Sequence, residues 1–221
     1  MRIYNNILLA ASLLVVIACA SMGTPDGGPY DEEPPVLMEA KPHIGATNVK
    51  SSKITLEFDE NIKLVNAFEN VVVSPPQIQM PVIKSSGKRV SVELMDTLLP
   101  NVTYSIDFGN AIVDNNEGNP LPSLDYVFST GNVLDSLSIK GRVSDAFTQK
   151  PDEGIYVFLY SDFSDSVVLS SKPVYVTKTD KEGRFEFKYI AQGKYKIIAL
   201  KDDDKSLTYN NVSEKIAFLT D

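Results

Sequence analysis

Short stretches in which every second residue is apolar recur along most of this chain. In KITLEF (53–58), Ile54, Leu56 and Phe58 alternate with polar neighbours. Successive side chains of a β-strand point to opposite faces, so this spacing predicts strands with one face in a core and one in water. The same spacing recurs in the following segments: RVSVEL (89–94), YSIDF (104–108), LSIKGRV (137–143), IYVFLY (155–160), PVYVTKT (173–179), RFEFKY (184–189) and KYKIIAL (194–200).

Turn-forming residues separate these segments, for example at 85–87, 100–101 and 114–119. Several short strands between such turns predict an all-β fold of the antiparallel sandwich type. After residue 18 we find no convincing helical periodicity, and LVNAFEN (64–70) is expected to form at most one turn. The roughly 200 residues that follow residue 18 suit one large or two small domains.

The N-terminus has the features of a secretory signal peptide at residues 1–18. An apolar run from Ile7 to Ala18 follows Arg2 and a short polar stretch. As a helix it would rise about 18 Å, well short of the ~30 Å hydrocarbon core of a bilayer. The alternative, a buried N-terminal helix, would need a polar face, whereas only Ser12 interrupts the run.

The tetrapeptide VIAC (16–19) ends this run and resembles a bacterial lipobox, with Val where Leu is usual and Ile where Ser or Ala is usual. The resemblance implies cleavage between Ala18 and Cys19 and acylation, for example with palmitate, of the Cys19 sulfur. Each buried CH₂ contributes about 0.8 kcal/mol, so two chains hold a protein stably on a bilayer. Cys19 is the only cysteine, so the exported protein has no intramolecular disulfide. The alternative is an ordinary cysteine within a signal peptide.

Residues 19–35 are rich in Gly, Pro and acidic side chains and poor in apolar ones. Such a stretch cannot bury enough surface to offset its ordering entropy, so we predict a flexible lipidated tether. Ala20 lacks the Asp that retains some lipoproteins at the inner membrane, which favours the outer membrane. The sequence leaves open whether the periplasmic or the surface face is occupied.

Residues 34–62, PPVLMEAKPHIGATNVKSSKITLEFDENI, resemble the opening of a bacterial Ig-like domain of the S-layer-protein type. The end of that domain is similar to YSIDFGNAIVDNNEGNPLPSLDYVFSTG (104–131). The resemblance implies an Ig-like sandwich over 36–131, followed by a joint at 132–136. With the tether, it resembles a family of Bacteroidetes-type lipoproteins.

The second half of the chain resembles carboxypeptidase-regulatory-like, or transthyretin-like, sandwiches. These commonly carry Gly-x-Val early, here at Gly141, and Asp-x-x-Gly-x-Phe later, here from Asp180 to Phe185. The resemblance covers about 137–209 and implies a second sandwich over 137–221. Relatives run further, so we expect a shortened member or a chain truncated at its C-terminus.

The charge balance and the scarcity of reactive residues exclude several function classes. The net charge is −8 and there is no basic run, so nucleic-acid binding is not expected. One histidine, His43, and one cysteine cannot form a three-ligand zinc site, and no Gly-x-Ser-x-Gly elbow offers a nucleophile. Hydrolysis of a sugar would need two carboxylates that flank one glycosidic bond. Asp59 and Glu60 are adjacent and would point to opposite faces of a strand, so they cannot easily form such a pair. We expect a protein that is not an enzyme and has no cofactor.

Two acidic loops are weak candidates for a cation, although we predict no metal site. The run from Asp114 through Asn116 starts like a calcium loop, but Gly118 occupies a ligand position and the turn glycine is missing. We interpret it as an Asx turn. The run Asp202, Asp203 and Asp204 is interpreted as a solvated loop.

A three-residue pattern of Asp, Ser or Thr, and an apolar residue resembles an O-glycosylation motif of proteins exported in this bacterial group. It places possible modifications at Thr97, Ser136 and Ser166. Ser136 is the strongest of these because it lies in the joint.

Two functions remain open at this point. The first is a membrane-anchored structural or protein-interaction arm of the cell envelope, with an outer-membrane barrel or another lipoprotein as its partner. The alternative is a carbohydrate-binding or adhesive surface module. Its candidate sugar-stacking residues are Tyr126, Tyr160, Tyr175 and Tyr209.

Overall fold

The computed structural model describes residues 31–219, which fold into short antiparallel strands with two single-turn helices. The predicted signal peptide, the Ala18–Cys19 cleavage site, the acylation of Cys19 and most of the tether lie outside these residues. Within 31–219, no helix has the length and apolarity needed to cross a bilayer. The predicted all-β fold is confirmed.

The first module contains nine strands around one core. They are β1 Leu37–Lys41, β2 Lys53–Phe58, β3 Ile62–Leu64, β4 Val72–Ser74, β5 Val82–Ser86, β6 Arg89–Glu93, β7 Thr103–Asp107, β8 Ile112–Asp114 and β9 Asp125–Ser129. Three sheets, ordered β1-β2-β6-β5, β4-β7-β9 and β3-β8, enclose the core. Ile54, Leu56 and Phe58 point into it and are at most 2% exposed, as their alternation predicts. The helix α1, Ala67–Asn70, is the single expected turn.

The second module contains six strands in two sheets of unequal size. They are β10 Leu137–Arg142, β11 Tyr156–Tyr160, β12 Tyr175–Lys178, β13 Arg184–Ile190, β14 Lys196–Leu200 and β15 Ile216–Phe218. The sheet β10-β13 faces the sheet β12-β11-β14-β15, and a shared core lies between them. A second apolar cluster covers the other face of the larger sheet. It includes the helix α2, Val167–Ser170, which the sequence did not predict.

A tight loop connects β12 to β13, as the Asp180 and Gly183 spacing predicts. The Asp180 carboxylate accepts hydrogen bonds from the N–H groups of Glu182 and Arg184. Gly183 has a φ of +72°, and a Cβ there would lie 2.4 Å from the carbonyl oxygen of Val143. Only glycine fits this close approach without a backbone shift.

The folded part of the chain begins earlier than the predicted tether boundary at residue 35. Pro35 is buried, and the Asn119 side-chain amide donates a hydrogen bond to the carbonyl of Glu33. The N–H of Val36 donates to the Asp59 carboxylate at 2.8 Å. The last residues before β1 are therefore held against the first module by contacts that composition alone does not reveal.

Candidate functional surfaces

The two modules are joined along a surface that we call the module junction, formed by β4, β7 and α1 of the first module and β12, β13 and Lys205 of the second. β4 and β12 are each the outermost strand of their sheet, and they lie against each other. The backbone N–H of Val176 donates to the Ser74 hydroxyl at 3.2 Å. Both residues are buried, so this hydrogen bond is shielded from water. An outward N–H on an edge strand would otherwise need water or another strand.

Lysine side chains from the second module hold the helix α1 at the junction. The Lys205 ammonium donates to the Glu69 carboxylate at 2.6 Å and to the Phe68 carbonyl at 3.2 Å. It also lies 3.5 Å from the centroid of the Phe68 ring, in cation–π geometry. The hydrogen bond from Lys205 lowers the pKa of Glu69, against a smaller opposing effect of burial. Lys178 donates to the Glu69 carbonyl at 2.6 Å. Burial, and to a smaller extent the nearby positive charge of Lys205, lowers the pKa of Lys178.

An ion pair between Lys188 and Asp125 links β13 to β9 on the other side of the junction. The hydrogen bond that the Lys188 ammonium donates to the Asp125 carboxylate raises the pKa of Lys188, and burial partly opposes this rise. Nearby, burial raises the pKa of Asp107 above its ordinary value. The junction therefore combines a buried hydrogen bond with charged contacts on both flanks. Sequence patterns did not predict any of these contacts.

The structure supports the Asx-turn interpretation of Asp114. One carboxylate oxygen accepts from the N–H groups of Asn116, Glu117 and Gly118, and the other accepts from Asn119 at 2.6 Å. Burial would raise the pKa of Asp114, but these four donors outweigh it and hold the pKa below its ordinary value. The carboxylate is occupied with closing the loop.

The solvated-loop prediction for residues 202–204 is wrong for Asp202, which is buried. Its oxygens accept from the N–H groups of Ser206 and Leu207, because the chain folds back over them. Burial raises its pKa to about 6. Asp203 and Asp204 are exposed, as expected.

Asp202 and Asp204 come close to Glu214, a residue that the sequence analysis missed. Their carboxylate oxygens lie within 4.8 Å of one another, a spacing that could hold a cation. The Glu214 carboxylate accepts from the N–H groups of Asn210 and Asn211, each at 3.3 Å. These backbone donors give the cluster a role in closing the 202–214 loop.

The remaining candidate residues are placed as follows. His43 is exposed in the turn after β1, where its carbonyl accepts from the N–H of Ala46. The hydroxyl-bearing residues Thr97, Ser136 and Ser166 are all exposed, so their proposed modification is sterically open and remains a prediction.

The sugar-stacking face suggested by the tyrosines is wrong for three of its four members. Tyr126, Tyr160 and Tyr175 are at most 9% exposed and pack within the cores. Tyr209 is half-buried beside the second apolar cluster. These rings occupy inward positions of their strands or pack under loops, so they form no exposed platform for a sugar.

Comparison with known proteins identifies the first module. Residues 31–130 match the model of a family described as a bacterial Ig-like domain (Big_5), which confirms that part of the prediction. No curated protein matches the chain.

Two solved structures are similar over most of the chain. One is the N-terminal part of the bacterial S-layer protein SbsC, with 16% identity and a TM-score of 0.30, covering 85% of this chain and 44% of that one. The other is a D312A variant of BcpA, the major pilin subunit of Bacillus cereus, with 14% identity and a TM-score of 0.24, covering 86% of this chain and 65% of that one. The chain thus spans less than half the length of the S-layer fragment. The family match covers residues 31–130, which is less than half of this chain.

Proposed function

We propose that this chain is a non-enzymatic, lipid-anchored protein of the bacterial cell envelope, whose two β modules act as one stiff arm that contacts other envelope proteins. The module junction is the observation that carries this proposal. Separating the modules would break the hydrogen bond between Val176 and Ser74 and the contacts of Lys205 with α1. A spacer that keeps its shape needs such a joint, because inter-domain motion is otherwise the default.

The second module is proposed to be a transthyretin-like sandwich. Support comes from its two facing sheets and from the Asp180 to Phe185 loop, whose geometry requires Gly183. The outer membrane is the proposed location, because the lipobox-like residues 16–19 precede Ala20.

Metabolic labelling tests the anchor. Cells grown with labelled palmitate should incorporate it into the wild-type chain, whereas Cys19→Ser should remain unlabelled and leave the membrane fraction. Ser21→Ala, a nearby substitution that keeps the cysteine, is the matched control and should behave like the wild type. A Cys19→Ser protein that stays firmly membrane-bound would contradict the proposed anchor.

Protease shaving of intact cells, followed by cross-linking, tests the contact with other proteins. Cleavage of the arm by external protease would place it on the cell surface, and protection would place it on the periplasmic face. In either case we expect cross-links to at least one other envelope protein, identified by mass spectrometry. Cross-linked material that contains no second protein would contradict the role as an interaction arm.

A further inference from the structure

Three exposed apolar side chains surround one cavity at the module junction. Phe68, Ile78 and Met80 are 58%, 81% and 52% exposed, and all three line a cavity of about 280 Å³. We call these side chains and the cavity the apolar junction surface. Neither end of the described chain borders it, because no residue of 31–66 or 208–219 lines the cavity. Large apolar side chains grouped in this way mark a contact with a partner molecule or a membrane.

The loop that carries Ile78 and Met80 offers few backbone N–H groups to a partner. Three of the residues 75–81 are prolines, which have no backbone N–H. The N–H groups of Ile78 and Gln79 both donate to the Asp96 carboxylate, the second at 3.1 Å. A peptide strand would need free N–H groups along such a segment, whereas lipid requires that the backbone groups facing it be satisfied within the protein. This loop therefore suits lipid better than an extended peptide.

The charges beside the apolar junction surface suit the phosphate of a lipid. Glu69, in α1, is paired with Lys205 at 2.6 Å. Lys172 lines the cavity and donates to the Ser206 carbonyl, and no carboxylate in the described part of the chain forms an ion pair with it. Its ammonium can contact a phosphate while its aliphatic stem stays beside the apolar side chains. The net charge of −8 disfavours anionic lipids, so we expect a zwitterionic headgroup.

The proposed anchor is long enough to let this surface reach a bilayer. Asp31 follows Cys19 by twelve positions, a length that spans at most about 40 Å. Val36 is held against Asp59, beside the hairpin between β5 and β6. β5 separates that hairpin from Val82 by about 14 Å, and the apolar junction surface begins two residues before Val82. A connection this short gives an effective concentration on the order of mM, so weak insertion suffices.

We propose that the apolar junction surface inserts into a bilayer of zwitterionic phospholipid. Phe68, Ile78 and Met80 bury their side chains among the lipid chains, and Lys172 contacts a phosphate. The bilayer thereby determines which side of the arm faces the membrane. This inference rests on the proposed function, because the anchor brings the membrane to this surface.

A single tryptophan reports the insertion, because the chain has none of its own. The reporter is Ile78→Trp. Phe147→Trp is the matched control, since Phe147 is 97% exposed in the loop after β10 and does not line the cavity. Each full-length variant is coupled through Cys19, the only cysteine, to a maleimide-bearing lipid in phosphatidylcholine vesicles. The coupling supplies the anchor chemically, so the measurement does not depend on acylation in the cell.

We expect the vesicles to shift the emission of Ile78→Trp to shorter wavelength. Brominated acyl chains should quench this emission at least about threefold more strongly than that of Phe147→Trp. Adding Met80→Glu to Ile78→Trp places a charge in the inserted surface and should lower the quenching to the level of the control. Adding Met80→Leu, which keeps an apolar side chain of similar volume, should leave the quenching unchanged.

Three outcomes would overturn the proposal. They are no change of the Ile78→Trp emission on vesicles, equal quenching of the two tryptophan reporters, and quenching that persists with Met80→Glu. An emission shift that appears without vesicles and grows with protein concentration would assign the surface to a second copy and would also overturn it. Palmitate labelling tests the anchor separately, so a failed anchor and a failed insertion are distinguishable.

Discussion

Removing the Ser74 hydroxyl is the sharpest test of the module junction. In Ser74→Ala, the N–H of Val176 loses its acceptor at 3.2 Å, while the two residues are only 8% and 5% exposed. A buried donor left unpaired costs about 1–3 kcal/mol, and the length of this hydrogen bond favours the lower half of that range. We expect a loss of about 1.5 kcal/mol in the free energy of unfolding, or a melting temperature lower by about 3–6 °C for a protein of this size.

Urea denaturation of the full-length protein measures this loss. Ser91→Ala is the matched control, because its exposed hydroxyl donates to the Lys84 carbonyl at 3.4 Å on a sheet away from the junction. The control should change the free energy of unfolding by less than about 0.5 kcal/mol. Equal shifts of the urea midpoint in the two variants would refute the reasoning, because the shielded hydrogen bond would then contribute nothing beyond a surface one.

Three further predictions concern charged groups. Lys205→Met keeps the aliphatic stem but removes the charge, and should destabilise the protein in the same denaturation assay. Because Glu69 is largely exposed, the expected loss is only about 1 kcal/mol. An unchanged urea midpoint would contradict a role for this contact. The pKa of Asp202 is raised to about 6 from 3.8, so the folded state binds this proton more tightly, and stability should fall as pH rises from about 4 to about 6. Solvent near the loop limits this loss of stability to about 1 kcal/mol. Urea titrations at several pH values measure it, and Asp202→Asn should abolish the pH dependence between about 4 and 6. A pH dependence that persists in this variant would assign it to another group. Asp114→Ala removes the acceptor of four backbone N–H groups and should accelerate amide hydrogen exchange over 116–119, whereas Asp203→Ala, in an exposed position, should leave exchange there unchanged.

The sequence predicted those strands that have one face in a core and enough residues to repeat the alternation. This holds for β2 and β6 in the first module and for β10 and β13 in the second. The strands β3, β4 and β8 have three residues each, which is too short for a period of two to be recognised. Their positions depend on the neighbouring strands that pair with them, so they became evident only in the structure.

The candidate surfaces were harder to predict because they join distant parts of the chain. Ser74 and Val176 are 102 residues apart, and Lys205 and Glu69 are 136 apart. No local pattern encodes such a pairing. Asp202 illustrates the same limit, because an aspartate in an acidic run is ordinarily solvated, and its burial results from a chain reversal that supplies two N–H donors.

The edge-to-edge meeting of β4 and β12 has a practical consequence for anyone dissecting this molecule. Cutting the polypeptide between residues 131 and 137 would leave each separated module with an exposed edge strand, β4 or β12, that is prone to aggregate. Expressed alone, the halves should collect in inclusion bodies, whereas co-expression should rescue both. A chimera that replaces one module with a foreign sandwich must therefore also keep the edge strand, β4 or β12, that packs against the remaining module.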